Sequence, residues 1–257
     1  MSVKFRVFLE MIYGWGSFRL ILCLSLFLPV TACSSLQQGE NEDPFEGFNR
    51  KAHVFNQTLD KNLLRPLAMT YARNMPERLQ FVISNVAENL STPADVANNL
   101  LQADLESAFK NIVKFSLNST LGLGGSVRLA EALNIQGKAG DFGQTLNAWG
   151  AQEGPYVVLP FLGPSTGRDT FGTLGDLTID PMGSVLNAEA LAFTYGVKVA
   201  DVLGNRARFA EMFDSVLYGS ADSYEQAKLI YLQARRFELN GSQEKDYFDP
   251  YDEIFEE

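Results

Sequence analysis

The chain has 257 residues, with 21 Lys and Arg against 31 Asp and Glu, two cysteines and one histidine. A formal charge of −10 argues against a nucleic-acid binder, which needs clustered positive charge, and against electrostatic docking to anionic lipid headgroups. A single histidine, His53, with cysteines only at Cys23 and Cys33, excludes zinc centres built from several His or Cys ligands.

The first 32 residues read as a secretory signal. Lys4, Arg6 and Arg19 lead into Leu20–Ala32, an apolar, uncharged run that ends on small residues. The run is far short of the roughly 20 residues a membrane-spanning helix needs. Val30-Thr31-Ala32-Cys33 resembles a bacterial lipobox. That resemblance implies cleavage between Ala32 and Cys33, lipid on the Cys33 thiol and acylation of the new amino terminus. Several acyl chains anchor stably where one is marginal. Ser34 in the next position, in place of Asp, implies the outer membrane. Cys23 leaves with the signal, so the mature domain has no disulfide. The signal carries three basic residues and one acid, so 18 basic and 30 acidic residues remain, a charge of −12. Residues 33–43 form a lipidated tether, polar and without periodicity from Ser34 to Asp43.

Residues 44–240 form the helical domain. After Pro44, the residues Phe45, Phe48, Ala52, Phe55 and Leu59 recur at spacings of three and four, an apolar stripe on one helix face. Such a stripe usually faces a core, and a lipid-facing stripe looks the same. Pro66 opens a short segment through Tyr71. Asn74-Met75-Pro76 starts a helix with Leu79, Ile83, Val86 and Leu90, and Thr92-Pro93 starts another through about Gln102. Asp104 caps a helix carrying Leu105, Phe109, Ile112 and Phe115. Asn118-Ser119-Thr120 and the glycines Gly122, Gly124 and Gly125 end it. From 126 to 180, recurrent glycines divide the chain into short pieces, with a short helix through Leu146 and Trp149. Tyr156–Leu162 is a candidate strand that Pro160 confines to an edge or loop. Helical patterning returns from Pro181 to Leu217. Ser220–Leu239 is the cleanest helix, acidic at its start (Asp222, Glu225) and basic near its end (Arg235, Arg236). Residues 241–257 are an acidic tail expected to be disordered. The fold class is all-α with an irregular, glycine-rich middle.

Little here demands catalysis. Gly163-Pro164-Ser165-Thr166-Gly167 matches the letters of a nucleophile elbow, but that device needs a strand, a helix and a later histidine, and His53 lies upstream. The segment reads as a turn. Gly122-Leu123-Gly124-Gly125 lacks the remaining glycine of a dinucleotide fingerprint. Asp169, Asp176 and Asp180 fit no calcium-loop spacing. No metal, cofactor or enzymatic activity is expected. A lipid hydrolase using Ser165 and His53 is the weakest alternative.

Longer strings are more specific. Asp43-Pro44-Phe45-Glu46-Gly47-Phe48-Asn49-Arg50, Phe55-Asn56, Leu59-Asp60 and Arg65-Pro66 resemble the start of the MlaA/VacJ lipoprotein family. Residues 118–125, Asp141–Leu146, Gly154–Pro160, Gly163–Thr166 and Arg168-Asp169 extend the resemblance in order. It implies a ring of amphipathic helices lying in the membrane plane around a channel. It also implies retrograde phospholipid transport: mislocalised outer-leaflet phospholipid is removed and passed to a soluble periplasmic carrier, which maintains lipid asymmetry. The implied partners are phospholipid, a trimeric porin and that carrier. The alternative is a porin-associated scaffold without lipid transport. Under the resemblance, Phe45, Phe48, Asn49, Arg50, Phe55, Asn56 and Asp60 are candidate channel residues, the polar ones equally suited to capping neighbours. Gly122, Gly124 and Gly125 are a candidate hinge. Two departures stand out: Ala103, where the family usually has Gly, and Arg128, where an Asp is common.

Overall fold

The structure is a computed structural model and describes residues 43–240. The signal, the Ala32–Cys33 junction, nearly all of the tether and the tail 241–257 lie outside the described residues.

Helix α1 (Glu46–Leu59) continues through a π-helical stretch, Asp60–Leu64, into α2 (Arg65–Asn74). Met75 then becomes extended, as the residue before a proline must. Helix α3 (Glu77–Leu101) follows, and α4 (Leu105–Thr120) packs against it in the most extensive helix contact among the described residues. The second helix start expected at Thr92-Pro93 is absent: α3 runs unbroken through Pro93. Pro93 has no N–H for the carbonyl four residues back, a defect that costs about 3 kcal/mol in an isolated helix. Burial of Ala87, Asn89, Thr92, Asn98 and Asn99 on either side of it carries the helix across.

Asp104 caps α4 as expected, its carboxylate accepting from Ser107 N–H at 3.0 Å. Short helices α5 (Leu129–Ala132) and α6 (Phe142–Ala148) follow. β1 (Tyr156–Leu159) and β2 (Gly163–Thr166) form an antiparallel hairpin with Tyr156 opposite Thr166 and Leu159 opposite Gly163. The segment expected to be a turn is therefore a strand. Its Pro164 sits opposite Val158 in a two-stranded sheet, where a missing N–H is tolerated. Helix α7 (Gly167–Ile179) also departs from the expectation of short glycine-bounded pieces. Its glycines serve contact. A Cβ on Gly172 would strike the Gly143 backbone, and one on Gly175 the Phe142 ring, so they let α6 and α7 approach closely. Helices α8 (Met182–Val185), α9 (Ala188–Arg208) and α10 (Ala210–Asp214), a second π-helical stretch Ser215–Gly219, and α11 (Ser223–Asn240) complete the domain.

Burial is inverted relative to a water-soluble protein. Among the described residues, the buried apolar ones are five alanines, Tyr156, Val158 and Tyr224. Among the described residues, the largest fully buried side chains other than Val158 are polar: Asn49, Asn98, Asn99, Asn111, Asn118, Thr92, Thr145 and Thr166. Large apolar side chains point outward, among them Phe109 at 67%, Leu123 at 75% and Phe193 at 63% exposure. Two stripes on α4 show the cause. Ser107, Asn111, Lys114 and Asn118 recur at helical spacing and are buried, whereas Leu105, Phe109 and Ile112 lie on the other face, exposed. Among the described residues no helix is long and apolar enough to cross a membrane.

Candidate functional site

Helix α1 turns Asn49, His53, Asn56 and Asp60 inward at spacings of four, three and four. Asn49 Nδ2 donates to Tyr156 O at 3.0 Å and to Asp43 Oδ1 at 3.0 Å, and Asn49 Oδ1 accepts from Val158 N–H at 2.8 Å. Seven residues on, Asn56 Nδ2 donates to Leu159 O at 2.9 Å, and its Oδ1 accepts from Phe161 N–H at 2.8 Å. The two amides satisfy the free edge of β1 as a neighbouring strand would. Arg50 pairs with Glu46, Asp222 and Glu225, and Asp60 with Arg206. Phe45, Phe48 and Phe55 are exposed, and Phe55 meets the exposed Phe161 of the hairpin tip edge-on.

The sequence did not single out the polar interior between α3, α4 and the segment 133–141. Asn98 Nδ2 donates to Asp176 Oδ1 at 3.0 Å, while Asn98 Oδ1 accepts from Thr145 Oγ1. Asn111 Nδ2 donates to Asn99 Oδ1 at 2.8 Å and to Lys138 O, and its Oδ1 accepts from Gly137 N–H. Gly140 N–H donates to Asp95 Oδ1 at 3.1 Å. Lys114 is buried and pairs with Glu88 at 2.7 Å and Glu131 at 3.3 Å. Burial pulls its ammonium down, but the carboxylates more than reverse this and keep it charged. Arg128, the departure from the family pattern, pairs with Glu88, so here the carboxylate has a cation where an Asp would repel it.

A second assembly joins α6, α7 and α11. Arg235 reaches Asp141 at 2.7 Å, Asp169 at 2.9 Å and Glu238 at 2.8 Å. Tyr231 OH donates to Asp169 at 2.8 Å. Burial pushes the Asp169 carboxyl up, and the bonds from Arg235 and Tyr231 bring it below its ordinary value. A cavity of about 560 Å³ opens beside these groups.

The glycines 122–125 make a close turn. Gly125 N–H donates to Asn118 O at 2.7 Å. Gly124 and Gly125 take φ of +70° and +92°, and a Cβ on Gly125 would meet the Asn89 side chain. Ala103 also has positive φ, +59°, a conformation that glycine adopts without the strain a Cβ brings.

Ser165 and His53 are not hydrogen-bonded to each other. Ser165 Oγ donates to Thr166 O at 3.2 Å and lies 3.1 Å from Thr170 Oγ1, whereas His53 Nε2 lies 2.9 Å from Ser223 Oγ. Among the described residues no group of His, Cys, Asp or Glu is placed to hold a metal.

A helical domain with an asparagine-lined interior and an apolar exterior defines a class of amphipathic protein turned inside out. The chain belongs to the MlaA lipoprotein family, whose model matches residues 41–238. It is 32% identical over 235 residues to the intermembrane phospholipid transport system lipoprotein MlaA of Escherichia coli K12, covering 90% of this chain and 91% of that protein. The protein of the same name from Shigella flexneri matches equally, at 32% over 235 residues. A solved structure described as the structural basis for maintenance of bacterial outer membrane lipid asymmetry superposes with a TM-score of 0.66 at 32% identity, covering 78% of this chain and 100% of that chain.

Proposed function

We propose that the protein is an outer-membrane lipoprotein that removes mislocalised phospholipid from the outer leaflet and passes it to a soluble periplasmic carrier. One observation carries this reading: buried asparagines inside, exposed Leu and Phe outside. In water, each exposed large apolar side chain forgoes about 1.5–3 kcal/mol of burial. In lipid hydrocarbon the same surface is matched to its surroundings, and polar groups must be satisfied internally. The relatives named for intermembrane phospholipid transport support the same reading.

In this account the helices lie in the membrane plane as a ring, with Cys33 as the lipid anchor. Phe45, Phe48 and Phe55 meet acyl chains, while the interior amides of Asn49, Asn98 and Asn111 are satisfied within the protein. A trimeric porin covers part of the apolar exterior, and the glycines 122–125 permit local movement.

The test is the amount of outer-leaflet phospholipid in cells with and without the gene, read with a membrane-impermeant headgroup label. The account predicts a rise on deletion, reversed by the intact protein but not by Cys33→Ala. An unchanged label, with the protein correctly localised beforehand, would leave a porin-associated scaffold as the better description.

A further inference from the structure

A cavity of about 550 Å³ lies between the end of α1 and the start of α11. Thr58, Lys61 and Asn62 form one wall, and Leu217, Tyr218 and Ser220 the other. Both π-helical stretches found among the described residues, Asp60–Leu64 and Ser215–Gly219, border it. A π turn strains the helical ladder and is found disproportionately at functional sites. Two converging on one cavity mark it out.

The walls are fixed from beneath. Asp60, first residue of one π stretch, accepts from Arg206 Nε and Nη2, each at 2.8 Å, and from Tyr218 OH at 2.6 Å. Arg206 also reaches Asp214, the residue before the other π stretch, at 2.7 Å. Arg65 holds Asp214 from the far side at 2.7 Å. The Gln57 amide donates to Leu217 O across the gap. Buried ion networks add little stability over apolar replacements, and their best-attested use is to fix one arrangement.

That network also consumes the nearby negative charge. Asp60 and Asp214 are neutralised by the arginines, and Asp222 by Arg50 and by the first amides of α11. Among the described residues lining the cavity, Lys61 is the one charged side chain and there is no carboxylate. Lys61 is exposed and has no ion-pair or hydrogen-bond partner among the described residues. The result is a polar cavity with one uncompensated ammonium, which suits a compact anion rich in acceptor oxygens.

We propose that this cavity binds a phosphate group, with Lys61 as its counter-ion. The phosphate chemistry stands on the cavity alone; assigning it to the headgroup of a transported phospholipid rests on the transport reading above.

The test uses the intact lipoprotein in detergent, titrated by calorimetry and phosphorus NMR with inorganic phosphate, sn-glycerol 3-phosphate and dihexanoyl phosphatidylglycerol. Lys61→Ala is expected to lower affinity about tenfold or more, with salt weakening the wild type and not the variant. Lys61→Arg should keep most of the affinity. Lys51→Ala, which removes an exposed lysine of α1 that does not line the cavity, should change nothing. Unfolding midpoints establish that each variant is folded. Wild-type affinity of Lys61→Ala for all three probes would overturn the proposal. Binding of the short-chain lipid and glycerol phosphate, both lost in Lys61→Ala, supports a headgroup site. Binding of inorganic phosphate alone supports the anion site and removes its assignment to lipid. Unchanged outer-leaflet label on deletion would sink the transport reading without touching this result. Unaltered binding by Lys61→Ala in a protein that clears the outer leaflet would sink the site alone.

Discussion

Val158 N–H donates to Asn49 Oδ1 at 2.8 Å, and both residues are fully buried. The bond joins residues more than a hundred positions apart and seats the hairpin on α1. The same amide serves Tyr156 O, so truncation orphans a donor and an acceptor at once. Each orphaned buried group costs about 1–3 kcal/mol. Asn49→Ala should therefore lose about 3 kcal/mol, measured by denaturant unfolding in detergent. A loss no larger than that of an exposed α1 residue such as Lys51→Ala would show that the clamp contributes nothing.

Ala103 gives a prediction of opposite sign. It ends α3 at φ +59°, with Asp104 N–H donating back to Asn99 O at 2.9 Å, a C-terminal arrangement that glycine adopts freely. Ala103→Gly should stabilise the protein by about 1 kcal/mol, since relief of left-handed strain outweighs the added freedom of the unfolded chain. A lower unfolding midpoint would contradict this.

These two sites differ in how far the sequence revealed them. The α1 stripe, the Asp104 cap, the strand at Tyr156 and the helix before the tail were legible because local spacing and capping chemistry decide them. Pro93 misled because packing against α4 outweighs a local helix-breaking signal. Ser107, Asn111, Lys114 and Asn118 did carry a helical period. Their meaning was hidden because polar stripes are normally solvated and apolar ones buried, an assumption valid only when the surroundings are water. The glycines of α7 read as breaks because a Cβ clash with α6 exists only in three dimensions. The π-helical stretches have no compositional signal at all.

Asp95 carries the pH dependence. Burial is the main cause holding its carboxyl up at about 6, opposed by the Gly140 N–H and Lys114, with Glu88 and Asp176 adding to the rise. A raised carboxyl binds its proton more tightly in the folded state. Its contribution to stability is complete below the ordinary carboxylate range and disappears as pH rises through 6. Between pH 7 and pH 5 the wild type should gain about 1 kcal/mol relative to Asp95→Asn, which keeps an acceptor for Gly140. Parallel pH profiles for the two proteins would refute this.

Arg206 lies beneath the Lys61 cavity, more than nine-tenths buried, against an equally buried Asp60. Arg206→Met leaves that carboxylate without its cation and should cost about 3–5 kcal/mol. Arg65→Met, at the more exposed end of the same network, should cost about 1 kcal/mol or less. Equal losses, read from unfolding curves, would mean that burial is not what sets the value of these pairs.

Under the proposed function, the exposed Leu and Phe side chains meet hydrocarbon while the asparagine face does not. Trp149 is the only tryptophan once the signal is removed, so the measurement is tryptophan quenching by brominated acyl chains, with Trp149 replaced by Phe and single tryptophans placed at Phe109, Phe193 or Asn111. The account predicts strong quenching at 109 and 193 and little at 111. Equal, weak quenching at all three sites would contradict it and return the apolar surface to a protein partner.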